Sequence, residues 1–119
     1  MSRNNSLEQV FLPGDADVAI STGSSAGDFK NVIRLMGDDE TIKELSVVFD
    51  NRIFKHDTYI ILDDNTKIVI LGGLTCGYSG VGSGFLFELL KCIGVDDKMA
   101  EIVFDDSLLY GTLSFTRQL

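Results

Sequence analysis

The fold is decided by two apolar runs and the polar turn between them, Thr58-Tyr59-Ile60-Ile61-Leu62-Asp63-Asp64-Asn65-Thr66-Lys67-Ile68-Val69-Ile70-Leu71. Both runs are rich in β-branched and aromatic residues, which favour strands. The turn residues hydrogen-bond to their own backbone and tolerate positive φ, so the stretch predicts a β-hairpin. Because both runs are nearly continuous in apolar residues, we expect strands covered on both faces, or on one face by a second copy of the chain.

Further strands are predicted on both sides of the hairpin. The sequence indicates strands at residues 17–21, in the second half of 41–49, at 100–104 and at 110–116. Segment 28–36 is ambiguous between helix and strand. Its apolar residues have helical spacing, with Asp28 as a candidate N-cap and Gly37 as the natural end.

One amphipathic helix is predicted after the hairpin, from Phe85 to about Ile93, with Gly94 just beyond its C-terminus. We therefore expect an α+β fold, with an antiparallel or mixed sheet of about five or six strands and one or two helices packed on one face. A chain of 119 residues with a single proline fits one domain. We place that domain at residues 10–119 and expect residues 1–9 to be flexible.

The composition is that of a globular, acidic protein with a formal net charge of −8. This charge repels nucleic acid and anionic membranes, so neither is an expected partner. Cys76 and Cys92 form no CxxC motif and are too few for a disulfide framework, so we expect reduced thiols. The first residues lack the apolar region of a signal peptide, and no apolar run is long enough to span a membrane. A cytoplasmic location is therefore expected.

The densest feature of the sequence is the run Gly72–Gly84, which holds six of the twelve glycines and leads directly into the predicted helix. Such a run favours either a tight strand-to-helix turn or a ligand close to the backbone. A helix N-terminus with free N–H groups attracts anions. The candidate ligand-binding residues in this run are Tyr78, Ser79, Gly80, Gly82, Ser83 and Gly84. Ser83 is equally a candidate N-cap for the helix.

The run does not match a known nucleotide-binding or catalytic motif. It has the glycine spacing of a P-loop, but Ser83 stands where that motif needs lysine, and Gly80–Gly84 is not a dinucleotide fingerprint. Since the run itself has no basic residue, an anion would need one from elsewhere in the fold. Arg34 and Arg117 are the candidates.

The sequence offers little for catalysis or metal binding. His56 is the only histidine, so we interpret it as an ordinary surface or strand-end residue. Paired aspartates recur where turns or element ends are expected, at Asp38-Asp39, Asp63-Asp64, Asp96-Asp97 and Asp105-Asp106. We therefore identify no catalytic residue, metal site or cofactor.

These observations favour a non-catalytic binding protein over an enzyme. The first hypothesis is a protein that holds a small anionic, nucleotide-like ligand at the glycine-rich turn, as a signal-sequestering phage or bacterial protein would. The alternative is an acidic inhibitor or immunity protein that binds a basic protein such as a toxin nuclease. In either case the apolar hairpin of so short a chain predicts a homo-oligomer.

Overall fold

The structure, a computed structural model, describes residues 1–37 and 41–117. It contains one six-stranded mixed sheet in the order β1-β6-β3-β4-β5-β2. The strands are β1 (Ser2–Asn4), β2 (Val18–Ile20), β3 (Ile42–Asp50), β4 (Lys55–Leu62), β5 (Lys67–Leu71) and β6 (Tyr110–Thr116). The helices are α1 (Ser25–Met36), α2 (Val81–Cys92) and α3 (Asp97–Ala100), with 3-10 helices at Pro13–Asp15 and Glu101–Phe104. The predicted α+β class is confirmed.

The hairpin lies at the centre of the sheet, as its sequence predicts. β4 pairs antiparallel with both β3 and β5, and β6 pairs antiparallel with β3. Only β2 is parallel to its neighbour β5. It follows that β2, β3 and β5 run in one direction, while β4 and β6 run in the other. We call the edge at which β2, β3 and β5 end the upper edge, formed by the loops 21–24, 51–54, 72–80 and 105–109.

The main core lies between one face of the sheet and the helices, and we call this the helical face. Alternate residues of β3 (Leu45, Val47 and Phe49) point to it because side chains alternate along a strand. α2 covers them with residues that have no solvent exposure: Leu86, Leu89 and Leu90. This apolar burial supplies most of the driving force for folding.

The second face of the sheet is covered in part by the chain's own N-terminal segment, residues 5–16. Phe11 packs edge-to-face on Tyr59 with ring centroids 5.0 Å apart, and Ala16 joins the same small cluster. Part of the cover that the apolar hairpin requires therefore comes from this segment. The predicted homo-oligomer stays a prediction, for which light scattering is the direct measurement. Ser2–Asn4 pairs with β6 as an edge strand, while the flexibility expected for residues 1–9 also stays a prediction.

Two local expectations were wrong. Segment 28–36 belongs to a helix, but Ser24 is its N-cap and accepts from the backbone N–H of Gly27. Asp28 lies inside α1 and is buried, with its Oδ1 accepting from both the N–H and the hydroxyl of Thr22. Residues 101–104 form a 3-10 helix rather than a strand, because the preceding α3, capped by Asp96, continues directly into them.

The aspartate pairs lie in turns and caps wherever the structure describes them. Asp63 and Asp64 form the β4–β5 turn, Asp96 caps α3, and Asp105 accepts from the N–H and the hydroxyl of Ser107. Asp38 and Asp39 lie outside the described residues.

Candidate functional site

The glycine-rich segment crosses the upper edge, between the end of β5 and the start of α2. α1 also begins at this edge, after β2, so two helix N-termini lie on the same side of the molecule. The C-terminal ends of parallel strands, followed by helix N-termini, form the usual ligand crevice of open α/β sheets. The topology therefore makes this edge the first place to look for a ligand site.

Packing explains much of the glycine content. Gly73 and Gly77 have φ of 67° and 93°, in the left-handed region that L side chains rarely adopt. A Cβ on Gly73 would overlap the carboxylate of Asp28, and one on Gly77 would overlap the amide of Asn51. A Cβ on Gly82 would lie 2.7 Å from the carbonyl oxygen of Gly73. These three glycines are required by close contacts within the protein, with no need for a ligand.

The start of α2 differs from that of α1, because it is left without a side-chain cap. Gly80 is the N-cap residue and provides no side-chain acceptor, and the first turn holds no acidic residue. Ser83, a candidate cap in the sequence, is instead inside the helix, fully buried, with its hydroxyl 2.9 Å from that of Thr75. The first N–H groups of α2 therefore lack the side-chain acceptor that Ser24 gives α1.

The predicted site residues of the glycine-rich segment divide into exposed and buried ones. Ser79 and Gly80 are exposed, and Tyr78 has 37% of its surface exposed. Gly84 is partly exposed, and a Cβ added there would meet nothing within 4 Å. Gly82 and Ser83 are buried, Ser83 completely, so the structure does not expose either residue to a ligand.

The two predicted arginines are not brought to this segment. Arg117 follows β6, which runs opposite to β5, so it lies at the other end of the sheet. There it forms an ion pair with Asp63 and donates to the hydroxyl of Thr41. Arg34 lies in the last turn of α1, in a shallow depression beside β2 that Val18 and Leu35 also line. The supporting cation therefore cannot be either arginine in this conformation.

Two other basic residues, which no sequence pattern singled out, lie at the upper edge. Arg52 and Lys55 flank the β3–β4 turn. The Arg52 guanidinium contacts both carboxylate oxygens of Asp50, at 2.8 and 2.9 Å, and lies 4.2 Å from the ring centroid of Tyr110. Because β4 runs opposite to β5 in the hairpin, the turn before β4 lies at the edge where β5 ends. The hairpin in the sequence therefore already indicated the position of this turn.

A buried polar cluster fixes the glycine-rich segment to the β3–β4 turn. Asn51 donates from Nδ2 to the carbonyl oxygens of Cys76 and Leu108, at 3.1 and 2.9 Å. His56 lies beside it near the start of β4 and is only 4% exposed, so of the two expected positions, surface or strand-end, it has the strand-end one and is buried there. Burial lowers the pKa of His56, while the hydrogen bond to the Cys76 carbonyl and the charge of Asp57 oppose that shift. The neutral imidazole is therefore favoured.

Cys76, His56 and Asn51 lie close together, but they do not form a nucleophilic site. The His56 imidazole contacts the carbonyl oxygen of Cys76. The thiol of Cys76 has no solvent exposure, and its burial raises its pKa to about 12. A reactive cysteine needs a lowered pKa and access to solvent, and Cys76 has neither. This cluster therefore has a structural role and connects the glycine-rich segment to the β3–β4 turn.

No helix in the described part of the chain is long and apolar enough to cross a membrane, and no group of three or more His, Cys, Asp or Glu within it is arranged to hold a metal ion. The chain matches no protein-family model, no curated protein and no solved structure.

Proposed function

We propose that the protein is a non-catalytic binding protein for a small anionic, nucleotide-like ligand, held at the N-terminus of α2. The observation that carries this proposal is the uncapped start of that helix, where Gly80 supplies no acceptor and the first turn has no acidic residue. Helix N-termini carry a partial positive charge and several N–H groups that need an acceptor. A phosphate or carboxylate would satisfy both requirements.

The surroundings of this helix start suit a ligand with an anionic group and a ring. The exposed hydroxyl of Ser79 is a further donor, and the partly exposed ring of Tyr78 offers a surface for stacking. Because the chain has a net charge of −8, long-range attraction would not assist binding. Affinity would depend on short-range donors, and the open space beside Gly84 leaves room for a group to approach them.

The test is a pair of substitutions at Val81, the first residue of α2, which is 72% exposed. Val81→Glu places a carboxylate at the helix start, where it competes with an anion, and Val81→Gln is its neutral control. The probes are inorganic phosphate, AMP and GMP in a thermal-shift assay. A probe at 100 times its Kd adds about 2.7 kcal/mol, which for a domain of this size is a rise of about 10 °C.

The expected result is a shift with at least one nucleotide for the parent and for Val81→Gln, and its loss for Val81→Glu. Equal shifts for the two variants would place the anion site elsewhere. No shift with any probe would remove the support for a phosphate ligand.

A second candidate function, inhibition of a basic protein, is favoured by the surface around α3. Five exposed carboxylates lie within residues 96–106. The exposed apolar side chains of Met99 and Leu109 lie within or next to this stretch of sequence. The carboxylates belong to Asp96, Asp97, Glu101, Asp105 and Asp106. Such a surface fits a basic partner by charge. Gel filtration with purified basic nucleases tests it, since Asp97→Lys combined with Glu101→Lys should then prevent complex formation while Val81→Glu should not.

A further inference from the structure

A cavity of about 320 Å³ lies on the second face of the sheet, between the N-terminal segment and the β3–β4 turn. Its apolar lining comes from Leu7, Val48 and Ile53. Its polar lining includes Lys55, Asp57 and Tyr59. A cavity of this volume is at the small end of the range for ligand sites, which usually combine an apolar lining with a few polar groups.

Tyr59 has a buried hydroxyl without a partner. The residue is 1% exposed, and within residues 1–37 and 41–117 its hydroxyl makes no hydrogen bond. Buried polar groups are nearly always hydrogen-bonded, and leaving one unpaired costs about 1–3 kcal/mol. Burial and the charge of Asp57 raise the pKa of Tyr59, so the hydroxyl remains protonated and able to donate. A ligand in the cavity would supply the missing partner.

Two opposite charges in the lining are also unpaired. The side chains of Lys55 and Asp57 form no hydrogen bond or salt bridge within the described chain. Asp50, the other charged residue of the lining, is neutralised by Arg52 through two hydrogen bonds. The cavity therefore presents one free ammonium and one free carboxylate.

The strand geometry holds these groups on one side of the cavity. Lys55, Asp57 and Tyr59 are alternate residues of β4, so all three point to the second face, with successive residues about 7 Å apart along the strand. Val48 lies directly across from Asp57 on β3. The polar side chains of β4 thus lie beside the apolar side chain of Val48.

We propose that this cavity binds a small zwitterion with an apolar side group, of the chemical class of free apolar α-amino acids. Its ammonium would pair with Asp57 and its carboxylate with Lys55, while its side group would pack against Leu7, Val48 and Ile53. The Tyr59 hydroxyl would bond to one of the polar groups of the ligand. A zwitterion matches this lining in charge, whereas a purely anionic or cationic ligand would leave one of the two lining charges unmatched.

This site is independent of the anion site proposed at α2. The cavity lies on the second face, while α2 packs on the helical face. Val81→Glu should therefore leave zwitterion binding unchanged, and changes in the cavity should leave nucleotide binding unchanged.

The experiment measures the binding of L-leucine and L-phenylalanine by calorimetry and by amide chemical shifts. Asp57→Asn and Lys55→Gln remove one charge each with little change of shape. Glu44→Gln is the matched control, because Glu44 lies on the same face of β3 but lines a different depression. We expect Asp57→Asn to weaken binding at least tenfold, Lys55→Gln several-fold, and Glu44→Gln less than twofold.

Ligand analogues test the two ends of the zwitterion separately. N-acetyl-L-leucine lacks the ammonium, so its weak binding should not change further in Asp57→Asn. L-leucinamide lacks the carboxylate, so it should be insensitive to Lys55→Gln. Tyr59→Phe should raise the melting temperature of the free protein, because it removes an unpaired buried hydroxyl, and should still weaken L-leucine binding.

The proposal is overturned if neither amino acid binds the parent at millimolar concentration. It is also overturned if Asp57→Asn and Lys55→Gln, both folded, bind L-leucine as Glu44→Gln does. Chemical-shift changes that avoid Leu7, Val48 and Ile53 would likewise place the binding elsewhere.

Discussion

The imidazole Nε2 of His56 lies 2.7 Å from Oδ1 of Asn51. The other group within hydrogen-bond distance of this nitrogen is the carbonyl oxygen of Cys76, at 3.2 Å. Both partners are acceptors, so the hydrogen-bond network assigns the proton to Nε2. Together with the bonds from Asn51 to Cys76 and Leu108, this contact joins the β3–β4 turn, the glycine-rich segment and the segment before β6.

The first prediction is that acid weakens the fold through His56. Because burial lowers its pKa below the ordinary 6.5, the unfolded chain takes up the proton first as the pH falls. This loss of stability is absent above about pH 7 and grows as the pH falls from 6.5 towards the folded pKa. It amounts to about 1.4 kcal/mol for each unit by which folding lowers the pKa. Urea unfolding between pH 7 and 5 measures it.

His56→Gln is the control for this prediction, because it has no titrating group in that range. Its free energy of unfolding should change less with pH than that of the parent. Asp50, Asp63 and Asp105 also have lowered pKa values, but these carboxylates lose their contribution near and below pH 4, outside the window. An equal slope for parent and variant would assign the pH dependence to other groups.

The second prediction concerns the contact between Gly73 and Asp28. Gly73→Ala adds a Cβ that overlaps the buried carboxylate, at a φ of 67° that itself disfavours alanine by about 1–2 kcal/mol. We expect a loss of about 3 kcal/mol in the free energy of unfolding. Gly14→Ala is the control, since nothing lies within 4 Å of its Cβ, and its effect should stay within about 0.5 kcal/mol. A loss below about 1 kcal/mol for Gly73→Ala would contradict the tight packing.

The central elements could be predicted from sequence because their patterns are local. The hairpin and β6 combine strand-forming residues with clear turn residues, and the structure confirms both. Ile102, Val103 and Phe104 have the same strand-like composition but form a 3-10 helix. There the cap at Asp96 starts a helical turn that the chain continues, and the packing of Val103 into the core outweighs its strand preference.

The candidate site was harder to predict because it depends on strand directions. Gly73 and Gly77 are explained by Asp28 and Asn51, which are distant in sequence. The choice of Arg117 failed because β6 runs opposite to β5, so its end lies away from the glycine-rich segment. The cavity on the second face depends on how the N-terminal segment crosses the sheet, and no local pattern in that segment indicates its path.

The third prediction tests the buried stripe of α2. Leu89 has no solvent exposure, so Leu89→Ala should cost about 2–5 kcal/mol by removing apolar contacts and leaving a cavity. Leu12→Ala is the control, because Leu12 is 62% exposed, and it should cost less than about 0.5 kcal/mol. Chemical denaturation of both variants gives the comparison. Similar costs for the two would mean that α2 does not pack on the sheet as described.

The fourth prediction separates the two cysteines, both of which are free thiols in the structure. Cys92 is exposed, although partial burial and the charge of Glu88 raise its pKa, so it should react slowly with iodoacetamide at pH 8. Cys76 should react only after unfolding, because it is buried with a pKa of about 12. Mass spectrometry should show one label on the native protein and two in urea. Two labels on the native protein at similar rates would contradict the burial of Cys76.

The last prediction concerns Phe54, which has a φ of 54° and is 79% exposed at the tip of the β3–β4 turn. A bulky residue in the left-handed region costs about 1–2 kcal/mol, and the exposed ring returns little of that by burial. Phe54→Gly should therefore raise the free energy of unfolding by about 0.5–1 kcal/mol, after allowing for the greater freedom of glycine in the unfolded chain. Phe54→Ala keeps the Cβ and its strain while removing the ring, so its stability should match that of the parent. If glycine instead lowered stability more than alanine, the turn would not be strained, and an equal loss for both variants would mean that the ring makes a stabilising contact.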